Sequence, residues 1–358
     1  MNIISFLEKF NKENYFEKIL REKNIEIIFC KNEKELKKNL ACLSKDILVT
    51  DNNFVRDYVD KLELFKNVFS IESEDFSEVF RIMKNSKGGK IIGMGGGRVL
   101  DVAKMVSFQQ GKRLILIPTA PTHDGLVSKN SALLVNGIKR SYPTKFPEKV
   151  IIPEHLWESS GHLKNFGKLD IIANIVALED VSLAMSRINF KPDEKYMKLS
   201  ALAIKKILKE KNMDDLAKAL FFSGLAMEES SRYCSGSEHE LEKILMPRLS
   251  LYFHGQLAGT GTLLSSKVYE ICSERLPEDL FFPAENLYLE IVEIMKKQKV
   301  MEDALKPVVE NDANEIADWL REASMVRPER YTLWNEIDSK NIDWKNIIKN
   351  IVGESRAG

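Results

Sequence analysis

The sequence predicts an α/β layer built on a mostly parallel sheet, followed in the same chain by an all-helical domain. Three observations carry that expectation. Apolar runs of four to six residues alternate with amphipathic stretches from about Ile25 to Pro153, as strands buried on both faces and joined by crossover helices do. After about Gly161 these runs stop, and apolar residues recur at i, i+3 and i+4 over ten or more positions, the period of helices packed through one face. Finally, 358 residues at 44% hydrophobic content exceed one average domain and can fill two cores.

Taken in order, the opening stretch MNIISFLEKFNKENYFEKILREKN spaces its apolar residues helically but is broken by charge every few positions. It reads as neither a secretory leader nor a membrane span. IEIIFC is the first strand, and the run Lys31 to Asn39 is the solvated face of a helix. DILVTD, KIIGMGG, RLILIPT and KVIIP are four further strands. Between the last two, SALLVNGIKRSYPT places Asn136-Gly137 between apolar or alternating arms, a β-hairpin signal because both residues tolerate the positive φ of a tight turn. His155 and His162 fall at the domain junction, expected near residue 160, and are read as exposed. The helical part contains DIIANIVALEDVSLAMSR, KYMKLSALAIKKILKE and RLSLYFHGQLAGTGTLLSSKVYEI, the last read as one long helix. Trp157, Trp319, Trp334 and Trp344 are read as core or interface residues.

Charge excludes some functions. Lys+Arg and Asp+Glu both number 53 and no basic stripe stands out, so a nucleic-acid or anionic-membrane footprint is not expected and a small molecule is the expected partner. No stretch reaches the roughly 20 apolar residues of a spanning helix. Cys30, Cys42, Cys234 and Cys272 lack CxxC spacing, which suggests neither a disulfide framework nor a thiolate metal site, and fits a reducing cytoplasm.

Three segments carry chemistry. In IIGMGGGRVLDVAKMVSF, Gly95, Gly96 and Gly97 lie where a strand gives way to a helix bearing Asp101 and Lys104. Glycines there either open backbone N–H groups to a phosphate at the helix N-terminus or only allow close strand–helix packing. LILIPTAPTHDGLVSK ends a second buried strand in Thr119, Thr122, His123, Asp124 and Gly125; ligands of open α/β sheets lie at such strand ends. In the helical part, Asp170 opens an apolar helix, His239 sits in SGSEHE, and His254 interrupts apolar neighbours. One carboxylate and two imidazoles form a set suited to a divalent metal with a position left open.

Taken in this order, GMGGGRVLDVAK, IPTAPTHDG, the Asp170 helix, SGSEH and FHGQLAGTGT resemble the sn-glycerol-1-phosphate dehydrogenases, within the superfamily of glycerol dehydrogenase, iron-containing alcohol dehydrogenase and dehydroquinate synthase. The resemblance runs from about residue 45 to about residue 334. It implies a Rossmann-like dinucleotide-binding α/β domain over residues 1–160 and an all-helical metal- and substrate-binding domain over residues 161–358, the dehydroquinate synthase-like arrangement. Gly95, Gly96 and Gly97 would cradle the pyrophosphate of NAD(H) or NADP(H), with Asp101 on the nicotinamide side, Thr119 and Thr122 lining the cofactor crevice and Asp51 at the adenosine ribose. Asp170, His239 and His254 would hold one divalent metal, Zn²⁺ in the first instance, with Ni²⁺ and Fe²⁺ as alternatives; Asp124 would lie beside the substrate, and bound water or a nearby group such as His123 or Asp124 would serve proton delivery. The implied reaction reduces dihydroxyacetone phosphate, or a related ketose phosphate, to sn-glycerol 1-phosphate for ether-lipid synthesis, in a cytoplasmic homo-oligomer. Pro153 departs from the acidic residue many relatives carry there, which leaves open a polyol or other sugar-phosphate dehydrogenase. A dehydroquinate-synthase-type cyclase is a further alternative.

Overall fold

The computed structural model describes residues 2–10 and 15–357; residues 11–14 of the helically spaced opening stretch lie outside them. Strands β1 (Glu26–Cys30), β2 (Ile47–Asp51), β3 (Asn67–Ile71), β4 (Ile91–Gly95) and β5 (Leu114–Pro118) precede a hairpin of β6 (Asn130–Val135) and β7 (Ile138–Pro143), and β8 (Lys149–Pro153) follows. Six of them form one sheet in the order β1-β8-β5-β4-β2-β3, with every pairing parallel. β6 and β7 pair antiparallel as a separate two-stranded sheet. Asn136 (φ 53°) and Gly137 (φ 76°) are both left-handed in its turn, as a two-residue hairpin requires.

The five strands read from sequence all form. Their central members β4 and β5 are buried at every residue, which is why they read as unbroken apolar runs. β3 was not among the predicted strands: it is an edge strand whose first four residues keep some exposure, so NVFSI carries no continuous apolar signal. On one face Leu36, Leu40, Val55, Val59, Ile92, Met94, Ile115 and Ile117 belong to a single buried cluster. On the other face the helix Gly97–Gln109 lies close enough to β4 that a Cβ on Gly93 would sit 2.7 Å from the Ala103 methyl.

The chain divides into two compact units, Lys12–Lys164 and Asn165–Gly358, the latter joined by Met1–Asn11. The start of the chain therefore departs from the expected 1–160 division. In the helix Ile3–Glu8, Ile3, Phe6 and Leu7 are buried, and the Phe6 ring packs on Phe281 and Phe282 of the helical unit. Among the described residues that unit contains no strand. Its longest helix runs from Leu163 to Ile188, so Asp170 lies in its third turn rather than at its start.

Two further expectations are corrected. The helix carrying His254 begins at His254 and ends at Ile271, and Arg248–Phe253 form turns before it; His254 is thus a helix-terminal residue, not one on a mid-helix face. His155 is half-buried, its Nε2 lying 3.4 Å from the Tyr58 hydroxyl, whereas His162 is exposed. Trp157, Trp334 and Trp344 are buried as read, and Trp319 is half-buried beneath the Arg248 guanidinium.

Candidate functional site

The α/β unit brings its predicted residues to one edge of the sheet. Asp51, Gly95 and Pro118 end β2, β4 and β5, which are neighbours in the sheet. The chain leaves β2 outward to β3 and leaves β4 the opposite way to β5, and a crevice outside such diverging strand ends is where α/β sheets take ligands. The Thr119 amide donates to the Gly95 carbonyl at 3.2 Å, tying the second cluster to the glycine turn. Thr122 is half-buried. The Asp51 carboxylate accepts from the Asn53 amide at 2.9 Å, shaping the turn after β2.

The three glycines serve different ends. A Cβ on Gly95 would lie 2.7 Å from a Val99 methyl, and one on Gly97 would lie 2.4 Å from Nε2 of His123. Both are close-packing glycines. A Cβ on Gly96 would meet nothing within 4 Å. Gly96 is also the N-cap of the helix Gly97–Gln109 and provides no side-chain cap, so the first amides of that helix need a partner from outside it. An open, uncapped helix start fits a nucleotide phosphate.

His123 and Asp124 are held over this turn by a buried lysine. Lys104 is wholly buried and its Nζ donates to Gly125 O (2.6 Å), Asn130 O (3.0 Å) and Ser128 Oγ (3.3 Å), with Asp101 Oδ1 at 3.5 Å. Burial drives both partners toward neutrality, Asp101 upward and Lys104 downward in pKa, while each opposes the shift of the other. The Asp101 carbonyl accepts from Ser131 Oγ at 2.8 Å. Asp101 thus sits in the support of the Thr-His-Asp-Gly loop and the hairpin base. The Gly125 amide donates to His123 Nδ1 at 2.9 Å, which leaves the proton of a neutral ring on Nε2. Asp124 is buried, with 8% of its surface exposed.

In the helical unit, Asp170, His239 and His254 converge, with one ligand atom from each lying within 4.8 Å of the other two. Asp170 Oδ1 is 3.4 Å from Nε2 of His239 and 3.4 Å from Nε2 of His254. Tetrahedral bonds of about 2.0–2.1 Å place neighbouring ligand atoms about 3.3–3.4 Å apart, so these spacings suit a divalent cation. The tautomers suit it too. Glu238 Oε1 lies 2.7 Å from His239 Nδ1, and Glu242 Oε1 lies 2.9 Å from His254 Nδ1. A carboxylate on each Nδ1–H turns the Nε2 lone pair toward Asp170. Asp170 and His239 are buried, whereas 36% of the His254 side chain is exposed, leaving an approach for a further ligand.

Electrostatics in the absence of a cation points the same way. Burial works against charge at every member, yet the carboxylate–imidazole pairing prevails: Asp170 is held well below the usual range by His254 and His239, and Glu242 is held down to about 2 by His254. His254 is pushed up to about 10 by Glu242 and Asp170, and His239 is raised by Asp170 and Glu238. Buried anions that would otherwise hold protons on both rings are a strong field for a cation. Small residues bring the ligand helices together: a Cβ on Gly261 would lie 2.2 Å from the Glu238 carbonyl oxygen, and one on Gly259 would lie 2.8 Å from the Leu169 side chain. Each glycine thus seats the His254 helix against the residue preceding His239 or Asp170. Lys104 was named from sequence without a role, and Glu238 and Glu242 were not named; the signal available for the two glutamates was SEHELE, in which Glu238, His239, Glu240 and Glu242 fall within five positions.

These features define a parallel α/β unit with an open glycine turn, followed in the chain by a helical unit whose Asp170, His239 and His254 could hold a metal ion, in the fold of the iron-containing alcohol dehydrogenases. A family model described as iron-containing alcohol dehydrogenase matches residues 32–157. A probable glycerol dehydrogenase from Sinorhizobium meliloti superposes with a TM-score of 0.68 at 16% identity, over 94% of this chain and 98% of that one. The Methanobrevibacter smithii glycerol-1-phosphate dehydrogenase [NAD(P)+] is 30% identical over 287 residues, covering 75% of each chain, and the Sulfurisphaera tokodaii protein of that name is 29% identical over 327 residues, covering 85% of this chain and 87% of that one. The chain belongs to the glycerol-1-phosphate dehydrogenase family.

Proposed function

We propose that the protein is an NAD(P)-dependent, divalent-metal-dependent oxidoreductase that reduces dihydroxyacetone phosphate to sn-glycerol 1-phosphate. The observation that carries the reading is the convergence of Asp170 Oδ1 with two Nε2 atoms, each imidazole backed by its own carboxylate, in a chain similar to enzymes named for that activity. Asp170, His239 and His254 hold the cation, with Zn²⁺ the first expectation for an O,N,N set. When bound, it supplies Lewis acidity toward a carbonyl oxygen while the nicotinamide supplies hydride. Glu238 and Glu242 keep the proton of each ring on Nδ1, so both Nε2 atoms stay available as ligands. Gly96 and the uncapped helix start receive the nucleotide pyrophosphate; Thr119 and Thr122 line the same strand ends, and Asp51 lies on the ribose side. Lys104 and Asp101 hold the loop that presents His123 and Asp124, the latter toward substrate.

The test is NADH and NADPH oxidation with dihydroxyacetone phosphate, by metal-stripped protein and after Zn²⁺, Ni²⁺ or Fe²⁺ is restored, with chiral analysis of the product. Metal-dependent turnover to the sn-1 enantiomer is expected. Equal turnover with unphosphorylated dihydroxyacetone would move the protein to the polyol dehydrogenases.

A further inference from the structure

Asp180 lies on the same long helix as Asp170 and takes no direct part in the metal set. It is buried, with 1% of its surface exposed, and its two oxygens accept three hydrogen bonds from three other segments. Oδ2 accepts from the Ser237 amide at 2.5 Å, and Oδ1 accepts from the Tyr269 hydroxyl at 2.8 Å and from the Leu333 amide at 2.7 Å. Ser237 is the first residue of the helix Ser237–Leu245, whose N-cap Gly236 offers no side chain to cap it. Asp180 therefore supplies, from another helix, the cap that the local sequence lacks.

The turn it caps is the one that bears Glu238 and His239. The Gly236 amide donates to Glu238 Oε1 at 2.7 Å, the oxygen that also meets His239 Nδ1. From the other side Arg327 donates to the Gly236 carbonyl at 2.8 Å and to Glu240 Oε1 at 3.2 Å. A Cβ on Gly236 would lie 2.2 Å from Asp180 Oδ2 and 2.9 Å from the Ala177 Cα, so this contact admits only glycine. One rigid helix thus carries a metal ligand at Asp170 and, almost three turns on, the clamp for the turn presenting another.

Resting on the metal reading above, we propose that Asp180 is a positioning residue for the metal centre: it fixes the first turn of the Ser237–Leu245 helix and so sets where His239 Nε2 stands relative to Asp170. Asp180→Asn is the informative change. Its amide oxygen can keep the two donors now on Oδ1, but its NH₂ must then face the Ser237 N–H, donor against donor. The cap is removed selectively while shape and burial stay. Tyr269→Phe is the control, because it removes a donor to the same carboxylate without touching Ser237.

The experiment titrates metal-stripped full-length protein with Co²⁺ and records the ligand-field spectrum, alongside thermal unfolding and hydrogen exchange of the peptide containing Ser237. Supporting mutations around a metal site typically cost roughly 10–100-fold in affinity. Asp180→Asn is expected to weaken Co²⁺ binding by that amount and to alter the spectrum, while Tyr269→Phe lowers the unfolding temperature and keeps both. In the metal-free native protein the Ser237 amide is expected to be protected, a readout that stands even if a variant fails to fold. Native Co²⁺ affinity and spectrum in Asp180→Asn, equal losses in the two variants, or rapid exchange at Ser237 would each overturn the inference. His239→Ala separates the two levels: Co²⁺ binding unaffected by it would overturn the metal assignment itself, whereas binding lost there but native in Asp180→Asn removes only the role of Asp180.

Discussion

Adjacent glycines in one turn are expected to respond oppositely to the same methyl group. At Gly96 the backbone is extended (φ −79°, ψ −176°) and an added Cβ meets nothing within 4 Å. Gly96→Ala should fold without strain and gain about 0.4–1 kcal/mol from the reduced freedom of its unfolded chain. That methyl, however, occupies the space through which a phosphate oxygen would come within about 2.9 Å of a backbone nitrogen. A tenfold or greater rise in the NAD(P)H dissociation constant follows, about 1.4 kcal/mol or more. At Gly97 the methyl would lie 2.4 Å from His123 Nε2 and 3.1 Å from Cδ2, so the imidazole must move by about 1 Å to restore ordinary contact. Overpacking of that kind costs about 1–3 kcal/mol, which lowers the unfolding temperature by about 2–4 °C per kcal/mol for a domain of this size. Thermal unfolding and nucleotide titration of both variants provide the assay. Native affinity in Gly96→Ala would mean that the turn serves packing alone; equal stability of the two variants would refute the placement of His123 against Gly97.

Two further outcomes follow from groups that had no role assigned from sequence. Lys104→Met leaves the Gly125 and Asn130 carbonyls and the Asp101 carboxylate without their buried cation, and breaking a buried pair costs about 3–5 kcal/mol; urea unfolding should show that loss, with metal content per folded molecule unchanged, and a loss under 1 kcal/mol would contradict the tether. Glu242→Gln removes the charge behind His254 Nδ1 while keeping an acceptor, so Zn²⁺ affinity measured against a chelating indicator should fall by roughly 10–100-fold, and native affinity would show that the 2.9 Å contact does not orient the ring.

The α/β unit was legible wherever burial was complete. β4 and β5 read as strands because nothing polar interrupts them, and Asn136-Gly137 read as a hairpin because few other pairs accept two positive φ values. β3 escaped because half-exposure removes the apolar run. The helix Ile3–Glu8 was assigned to the wrong unit because its partners Phe281 and Phe282 lie far along the chain, and no local pattern encodes a partner. The same reason hid the roles of Asp180, Glu238, Glu242 and Lys104, which exist only through segments folded against them. Asp170 and His254 were visible as polar residues among apolar neighbours and His239 within SGSEHE, but joining them needed a resemblance, since spacing over 85 positions specifies no contact.

The two candidate sites differ in what they are built from, and so in how they can fail. The proposed nucleotide site at the glycine turn would work through missing atoms: its ligand groups would be backbone amides, and an added methyl at Gly96 would block them without leaving any buried group unsatisfied. The proposed metal set would work through side chains whose charges are balanced only together. Asp170, Glu238 and Glu242 are all buried carboxylates around two imidazoles, so truncating either ring leaves anions in a low dielectric with less to hold. Loss of nucleotide binding can therefore occur with the fold intact, whereas loss of a metal ligand carries a stability cost of its own. That asymmetry makes stability, measured beside binding, the readout that tells damage at one site from damage at the other.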